Sequence, residues 1–188
     1  MIGELPTTVT IDGTEYDINS DFRNILDILE AFDDPNLQDQ DKVFVCLTLF
    51  YVDFIKIPPN KYVEAYKAAL KFIDNGKESK KGGIEPKIMD WSQDEVLLFP
   101  AINKVAGYET RAADYIHWWT FLGYYMEVSE GIFSKVVGIR YKHAHGKKLE
   151  KWEKEFEQAN SSIIKLERKR SDEELENIEK IKKKLNGG

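Results

Sequence analysis

Residues Tyr115 to Gly146 read YIHWWTFLGYYMEVSEGIFSKVVGIRYKHAHG. Two of the four tryptophans, Trp118 and Trp119, stand side by side here, with Tyr115, Phe121, Leu122, Tyr124, Tyr125 and Met126 around them. A helix apolar on nearly every face has to be enclosed by other elements, and large aromatics dominate core energetics. The spacing therefore predicts a helix over Tyr115 to Val128 at the centre of the core. Ser129-Glu130-Gly131 interrupts it, and a short helix over Ile132 to Arg140 follows.

Upstream, TVTIDGTEYDI over Thr8 to Ile18 sets apolar residues around Asp12-Gly13, a strong hairpin signal because a tight primed turn needs positive φ at both central positions. A lone hairpin is marginal in water, so this one, within residues 7–18, is expected to dock on helices. Ser20 or Asn19 can cap a first helix with Phe22, Ile25, Leu26, Leu29 and Phe32 on one stripe, ending near Asp33-Asp34-Pro35. A second helix is expected from Gln40 to Ile55, stopped by Pro58-Pro59. Asn60 then caps a third, with Val63, Tyr66, Leu70 and Ile73 on its buried face and Gly76 at its C′ position. The stretch GKESKKGG over residues 76–83 reads as a linker. Ser92-Gln93-Asp94-Glu95 is a capping-box pattern opening a fourth helix to Gly107, with Pro100 expected to kink it or break its start.

Downstream, Leu149, Trp152, Phe156, Ala159, Ile163 and Leu166 recur in alternating steps of three and four, the pattern of a heptad seam and a coiled coil. The seam fails at Arg170, and Leu175, Ile178 and Leu185 begin a new stripe behind a second capping-box pattern, Ser171 to Glu174. Two helices are expected, broken near residues 170–171. Trp152, Phe156, Ile163, Leu166, Leu175, Ile178 and Leu185 are the candidate partner-binding residues, since apolar anchors on a charged helix suit a groove or a second copy.

The fold class is mainly α: a helical domain over residues 1–146, with six or seven helices around the aromatic one, and a charged C-terminal helical extension over 147–188. The 188 residues carry a formal charge of −6, which argues against nucleic acid as a partner because phosphate neutralisation needs a clustered basic surface. Residues 1–146 hold 15 Lys/Arg against 23 Asp/Glu and residues 147–188 hold 12 against 10, nets of −8 and +2. The longest apolar run, Val43 to Ile55, is too short for a membrane span of about 20 residues. No leader pattern is visible. The single cysteine, Cys46, permits no internal disulfide and fits a reducing, cytoplasmic setting.

No reacting centre is legible. His143 and His145 are two apart, whereas helical neighbours that could share a metal are three or four apart. His117 reads as a core histidine bonded to backbone, and Cys46 as an inert buried thiol. No phosphate loop occurs. Asp90, Asp94 and Glu95 read as caps and first-turn charges. No catalytic, metal or cofactor residues are assigned, and no enzymatic activity is expected.

The run His117-Trp118-Trp119-Thr120-Phe121, then Glu130-Gly131 and Phe133, Ile139-Arg140 and Lys147-Lys148, resembles the signature of the bacteriophage gene-product-fifteen family. Asp21-Phe22-Arg23, Trp91 with Asp94, and Gly107-Tyr108 extend the resemblance over roughly Ile18 to Phe156. It implies a small protein of tailed phages and prophages assisting tail assembly near the tape-measure protein, acting in the host cytoplasm, with tape-measure or other tail proteins as partners and no catalytic residues. Phe22, His117, Trp118, Trp119, Phe121, Phe133, Ile139 and Arg140 are then the signature and structural core. The expected function is a tail-assembly chaperone. Two alternatives stand beside it: a structural subunit retained in the virion tail as a homo-oligomer, and a small regulatory or host-interacting phage protein.

Overall fold

Asp12 and Gly13 have φ of 47° and 80°, the paired positive values that a primed turn requires. Strands β1 (Thr8–Ile11) and β2 (Thr14–Asp17) therefore pair antiparallel with Val9 opposite Tyr16. The computed structural model describes residues 3–77 and 86–186, with side chains through residue 184. Residues 78–83 of the expected linker lie outside the described residues. Val9, Ile11 and Tyr16 pack on the helical core, so the hairpin docks as expected.

The chain continues as α1 (Phe22–Asp33), α2 (Asp39–Phe50), α3 (Tyr62–Ile73), α4 (Glu95–Ala106), α5 (Trp118–Met126), α6 (Ile132–Ala144), α7 (Lys151–Ala159), α8 (Ser161–Ile164) and α9 (Asp172–Asn186). The fold is mainly α with one short hairpin. The cap of α1 is Asp21, not Ser20 or Asn19: its carboxylate accepts from the Arg23 N–H at 2.9 Å. Ser20 bonds Tyr115 instead. Phe22, Ile25 and Ile28 form the buried stripe.

Helix α2 stops at Phe50, five residues before the expected Ile55. The Asn19 N–H donates to the Phe50 carbonyl at 2.8 Å, and the Val52 N–H donates to the Asp17 carbonyl at 3.1 Å. Backbone arriving from β2 takes the groups that a longer helix would have used. In α3 the buried residues are Ala65, Ala69, Phe72 and Ile73, whereas Val63 is 62% exposed. The small alanines allow α3 to lie close to its neighbours, which a bulk-seeking reading of periodicity does not anticipate. No side chain caps its start, so Asn60 is not the cap. Asn75 takes the C′ position with φ 57°, and Gly76 follows at 77°. A Cβ on Gly76 would meet the Trp119 ring at 3.7 Å, an ordinary contact, so the positive φ and not lack of space favours glycine there.

Helix α4 begins one residue after Asp94 rather than at a Ser92 cap, and it runs unbroken through Pro100. The carbonyl that Pro100 leaves without a donor belongs to Val96, 80% exposed, where water can reach it. Helix α6 extends four residues beyond Arg140.

The aromatic helix is shorter and less enclosed than its composition suggests. The His117 backbone pairs with Asp21, and the Trp118 N–H donates to the Ser20 carbonyl at 2.7 Å, so the helix cannot start at Tyr115. Trp118 and Phe121 are buried, while Tyr115 and Met126 are 53% and 62% exposed. Burial is one-sided. The expected seam from Leu149 to Leu166 is not one helix: Asn160 breaks it into α7 and α8.

Candidate partner-binding surfaces

A helix leaves its last four carbonyls without internal partners, and here side chains from elsewhere satisfy many of them. Trp118 and Trp119 donate their indole N–H groups to the carbonyls of Ile73 and Phe72, both at 2.9 Å, fastening α5 to the end of α3. Lys42 reaches Phe32 at the end of α1, and Asn19 reaches Leu49 near the end of α2. His117 accepts the Trp119 N–H at Nδ1 and donates from Nε2 to the Pro6 carbonyl, so its Nε2–H tautomer ties the N-terminal segment to the start of α5. Phe22 and Phe121 stack with ring centroids 4.2 Å apart. His117, Trp118, Trp119, Phe121 and Phe22 are therefore brought together as one junction.

Arg140 makes a second junction. Its guanidinium meets both oxygens of Asp94 at 2.7 and 2.9 Å and donates to the carbonyls of Ile88, Ile163 and Ile164. The two side chains are only 7% and 3% exposed. Asp94 thus precedes a helix, as its position suggested, but its carboxylate serves the arginine. Asp90 does not cap α4: it accepts from the N–H groups of Ser92 and Gln93 and so closes the turn that precedes the helix. Burial would raise the Asp90 carboxyl, yet the Lys87 ammonium and the Gln93 N–H outweigh it and hold the carboxyl below its ordinary value. Cys46 is sealed from solvent, and burial pushes its thiol up to about 12.

The predicted partner-binding residues divide. Phe156 and Ile163 pack with Ile164 against Val136 and Ile139 of α6, which withdraws them from a free seam. Leu166 is half-buried, and Trp152 stays 47% exposed. Leu175 is 47% exposed and Ile178 is half-buried on α9, while the Leu185 side chain lies outside the described ones. Lys142 and His143 fix α7 to α6 through Glu153 and Glu157, both at 2.7 Å. Among the described residues no group of three or more His, Cys, Asp or Glu could hold a metal. None of their helices is long and apolar enough to cross a membrane.

Sequence reasoning missed another surface. Phe44, Ile55 and Val63 are 58%, 89% and 62% exposed. Phe44 belongs to a ring chain in which Phe44 and Phe54 are 5.6 Å apart and Phe54 and Tyr62 are 5.1 Å apart, and Ile55 and Val63 follow Phe54 and Tyr62 directly in the chain. Ion pairs Asp53–Lys56 and Asp12–Lys61 edge the patch. With α2 carried on to Ile55, the exposed turn holding Phe54 and Ile55 had no place in the sequence reading. A groove of about 440 Å³ also lies between α5 and α6, lined by Tyr125, Met126, Phe133, Val137 and Tyr141 among others.

Comparison with sequence families finds one described as bacteriophage Gp15 protein, matching residues 1–166. The chain belongs to the bacteriophage Gp15 protein family. No curated protein and no solved structure matches it. The Gp15 match begins before the hairpin and ends two residues beyond Ile164, whose carbonyl holds Arg140. It is longer at both ends than the Ile18 to Phe156 span of the quoted signature. Of the Gp15 residues carrying the resemblance, Phe22, His117, Trp118, Trp119 and Phe121 form the first junction and Asp94 and Arg140 the second, and α9 lies past the matched region.

Proposed function

We propose that this Gp15 protein is a non-catalytic tail-assembly chaperone. It shields apolar helical stretches of the tape-measure protein in the host cytoplasm until the tail tube encloses them. The observation that carries this reading is the Phe44–Phe54–Ile55–Val63 patch. Exposed apolar side chains gathered beside polar ones suit a protein-binding surface. The α5–α6 groove adds a second, largely apolar surface. Trp152 and the exposed residues of α9 remain as further contacts that the same partner can reach.

The test is co-expression of the full chain with the tape-measure protein of the same phage, followed by co-purification. The wild type is expected to hold and solubilise the partner. A Phe44→Asp/Ile55→Asp variant, altered only at exposed positions, should keep its helical circular dichroism and lose capture. Failure of the wild type to co-purify, or unchanged capture by the double variant, overturns this assignment of site and partner.

A second reading, a structural subunit kept in the virion tail, is favoured by the exposed α9 stripe, which suits self-association. Composition of finished particles separates the two. A chaperone is absent from them, and a subunit is present in fixed copy number.

A further inference from the structure

Between α8 and α9, residues 165–171 are neither helix nor strand and run across the body. This strap is fixed mainly by its backbone. Just before it, Arg140 donates to the carbonyls of Ile163 and Ile164, and just after it Asn36 accepts the Asp172 N–H. In its middle the Gln93 side-chain amide holds Glu167 at two points. The Gln93 Oε1 accepts the Glu167 N–H at 2.9 Å, and Nε2 donates to the Glu167 carbonyl at 2.6 Å. An amide that bonds both backbone groups of one residue imitates a neighbouring strand. It reads main chain alone, since Glu167 is exposed.

Few side chains of the strap turn inward. Leu166 is half-buried, and Lys169 meets Glu30 at 3.6 Å. Arg168 pairs with Glu174 of its own tail. Space stays open on both sides of Gln93: a cavity of about 610 Å³ lined by Val96, Leu97 and Ile163 among others, and one of about 220 Å³ lined by Asp33, Asp90 and Leu166 among others. The strap lies in a groove wider than itself. A segment that merely closed the fold would be packed to the density of an interior. On the groove wall Lys87 already answers Asp33 and Asp90, which leaves Glu30 as the carboxylate for an incoming cation.

We propose that the groove centred on Gln93 binds an extended segment of another polypeptide, and that residues 165–171 are its built-in occupant. The strap fixes the chemistry of the partner segment: any residue but proline against Gln93, an apolar residue one position before it, and Lys or Arg two positions after. Proline is excluded because it carries no N–H. Such recognition is strand addition shortened to one residue, with main-chain bonds giving affinity and side-chain sites giving specificity. The strap can yield to a competitor, because two hydrogen bonds and one partly exposed ion pair each contribute modestly. Ile163 and Ile164 stay on Arg140 throughout. None of the groove residues belongs to the Phe44–Ile55 patch, so this site stands or falls apart from the tape-measure assignment.

The experiment is fluorescence anisotropy of a labelled synthetic peptide with the sequence of residues 163–171, titrated with the purified full chain. The wild type is expected to bind it weakly, because the tethered strap competes at an effective concentration on the order of millimolar. Glu167→Pro removes the N–H of the strap and no atom of the groove, so that variant should bind the peptide at least roughly tenfold more tightly. Adding Gln93→Ala should cancel the gain. A peptide with Ala at the Glu167 position should bind as the parent does, and one with Pro there should not. Hydrogen exchange of the wild type needs no variant: saturating peptide should quicken exchange of the Glu167 amide in the chain. An unchanged amide, a Glu167→Pro chain no tighter than the wild type, a gain that survives Gln93→Ala, or Ala and Pro peptides that bind alike would each overturn the proposal. So would a wild-type dimer that the peptide dissociates, since the groove would then hold the strap of a second copy.

Discussion

Arg140 commits all five of its N–H donors inside the protein, two to Asp94 and three to backbone carbonyls. Removing one partner from a buried pair strands the other charge, which costs about 3–5 kcal/mol, whereas replacing both with apolar groups can be nearly neutral. Arg140→Met is expected to lower stability by about that amount, and Arg140→Met/Asp94→Leu by clearly less, as read by urea denaturation. Asp94→Leu alone should be as damaging as Arg140→Met. At α5, Trp119→Phe keeps a ring near Gly76 but leaves the Phe72 carbonyl without its indole donor. A loss of about 0.5–1.5 kcal/mol is expected in the same assay. Cys46 tests the seal of the core: with its thiol pushed up to about 12 by burial, it should react with a thiol reagent at pH 8 only as fast as the protein unfolds. Prompt labelling of the native chain would contradict that.

Between elements, the docking of α7 on α6 rests in part on Glu153. The Lys142 ammonium, and after it the Glu150 N–H, hold its carboxyl below the ordinary 4.5. A carboxyl lowered on folding adds stability that is fully present above its unfolded value and is lost as pH falls through the folded one. Hydrogen exchange in α7 should therefore quicken relative to α3 as pH drops below about 4.5, after correction for the intrinsic rate. Glu153→Gln should show a flatter pH response over the same range. Most element boundaries displaced from the sequence reading share a cause of this kind. Helix α2 ends early because β2 claims its backbone, α5 starts late because Asp21 pairs with His117, and Asn160 divides the heptad seam. Periodicity reports which residues suit a helix and is silent about competing backbone partners.

At the scale of the whole molecule, the body does not end at Gly146. Ile163 and Ile164 supply Arg140 with two acceptors, and Ile164 packs against Val136 and Ile139. A chain stopped after Gly146 is expected to lose stability and expose that face, seen as a lower melting temperature and binding of a hydrophobic dye. A chain stopped after Ser171 loses only α9, so its melting temperature should stay within a few degrees of the full chain. Equal melting temperatures for the two truncations would refute this boundary.

The sequence by itself determined the helical class, the docked hairpin, the break before α9 and membership of the Gp15 family. Each of these rests on local signals: Asp-Gly turn chemistry, apolar spacing, the Ser171 cap and the His-Trp-Trp-x-Phe run. Only the tertiary structure decided that Asp94 belongs to Arg140, that two tryptophans fasten α5 to the end of α3, and that Phe44 meets Phe54 beside the exposed Ile55. The physical reason is range. Caps and periodic faces are fixed by neighbours within about one helical turn, whereas these contacts join residues from 10 to 47 positions apart whose meeting depends on how whole helices pack.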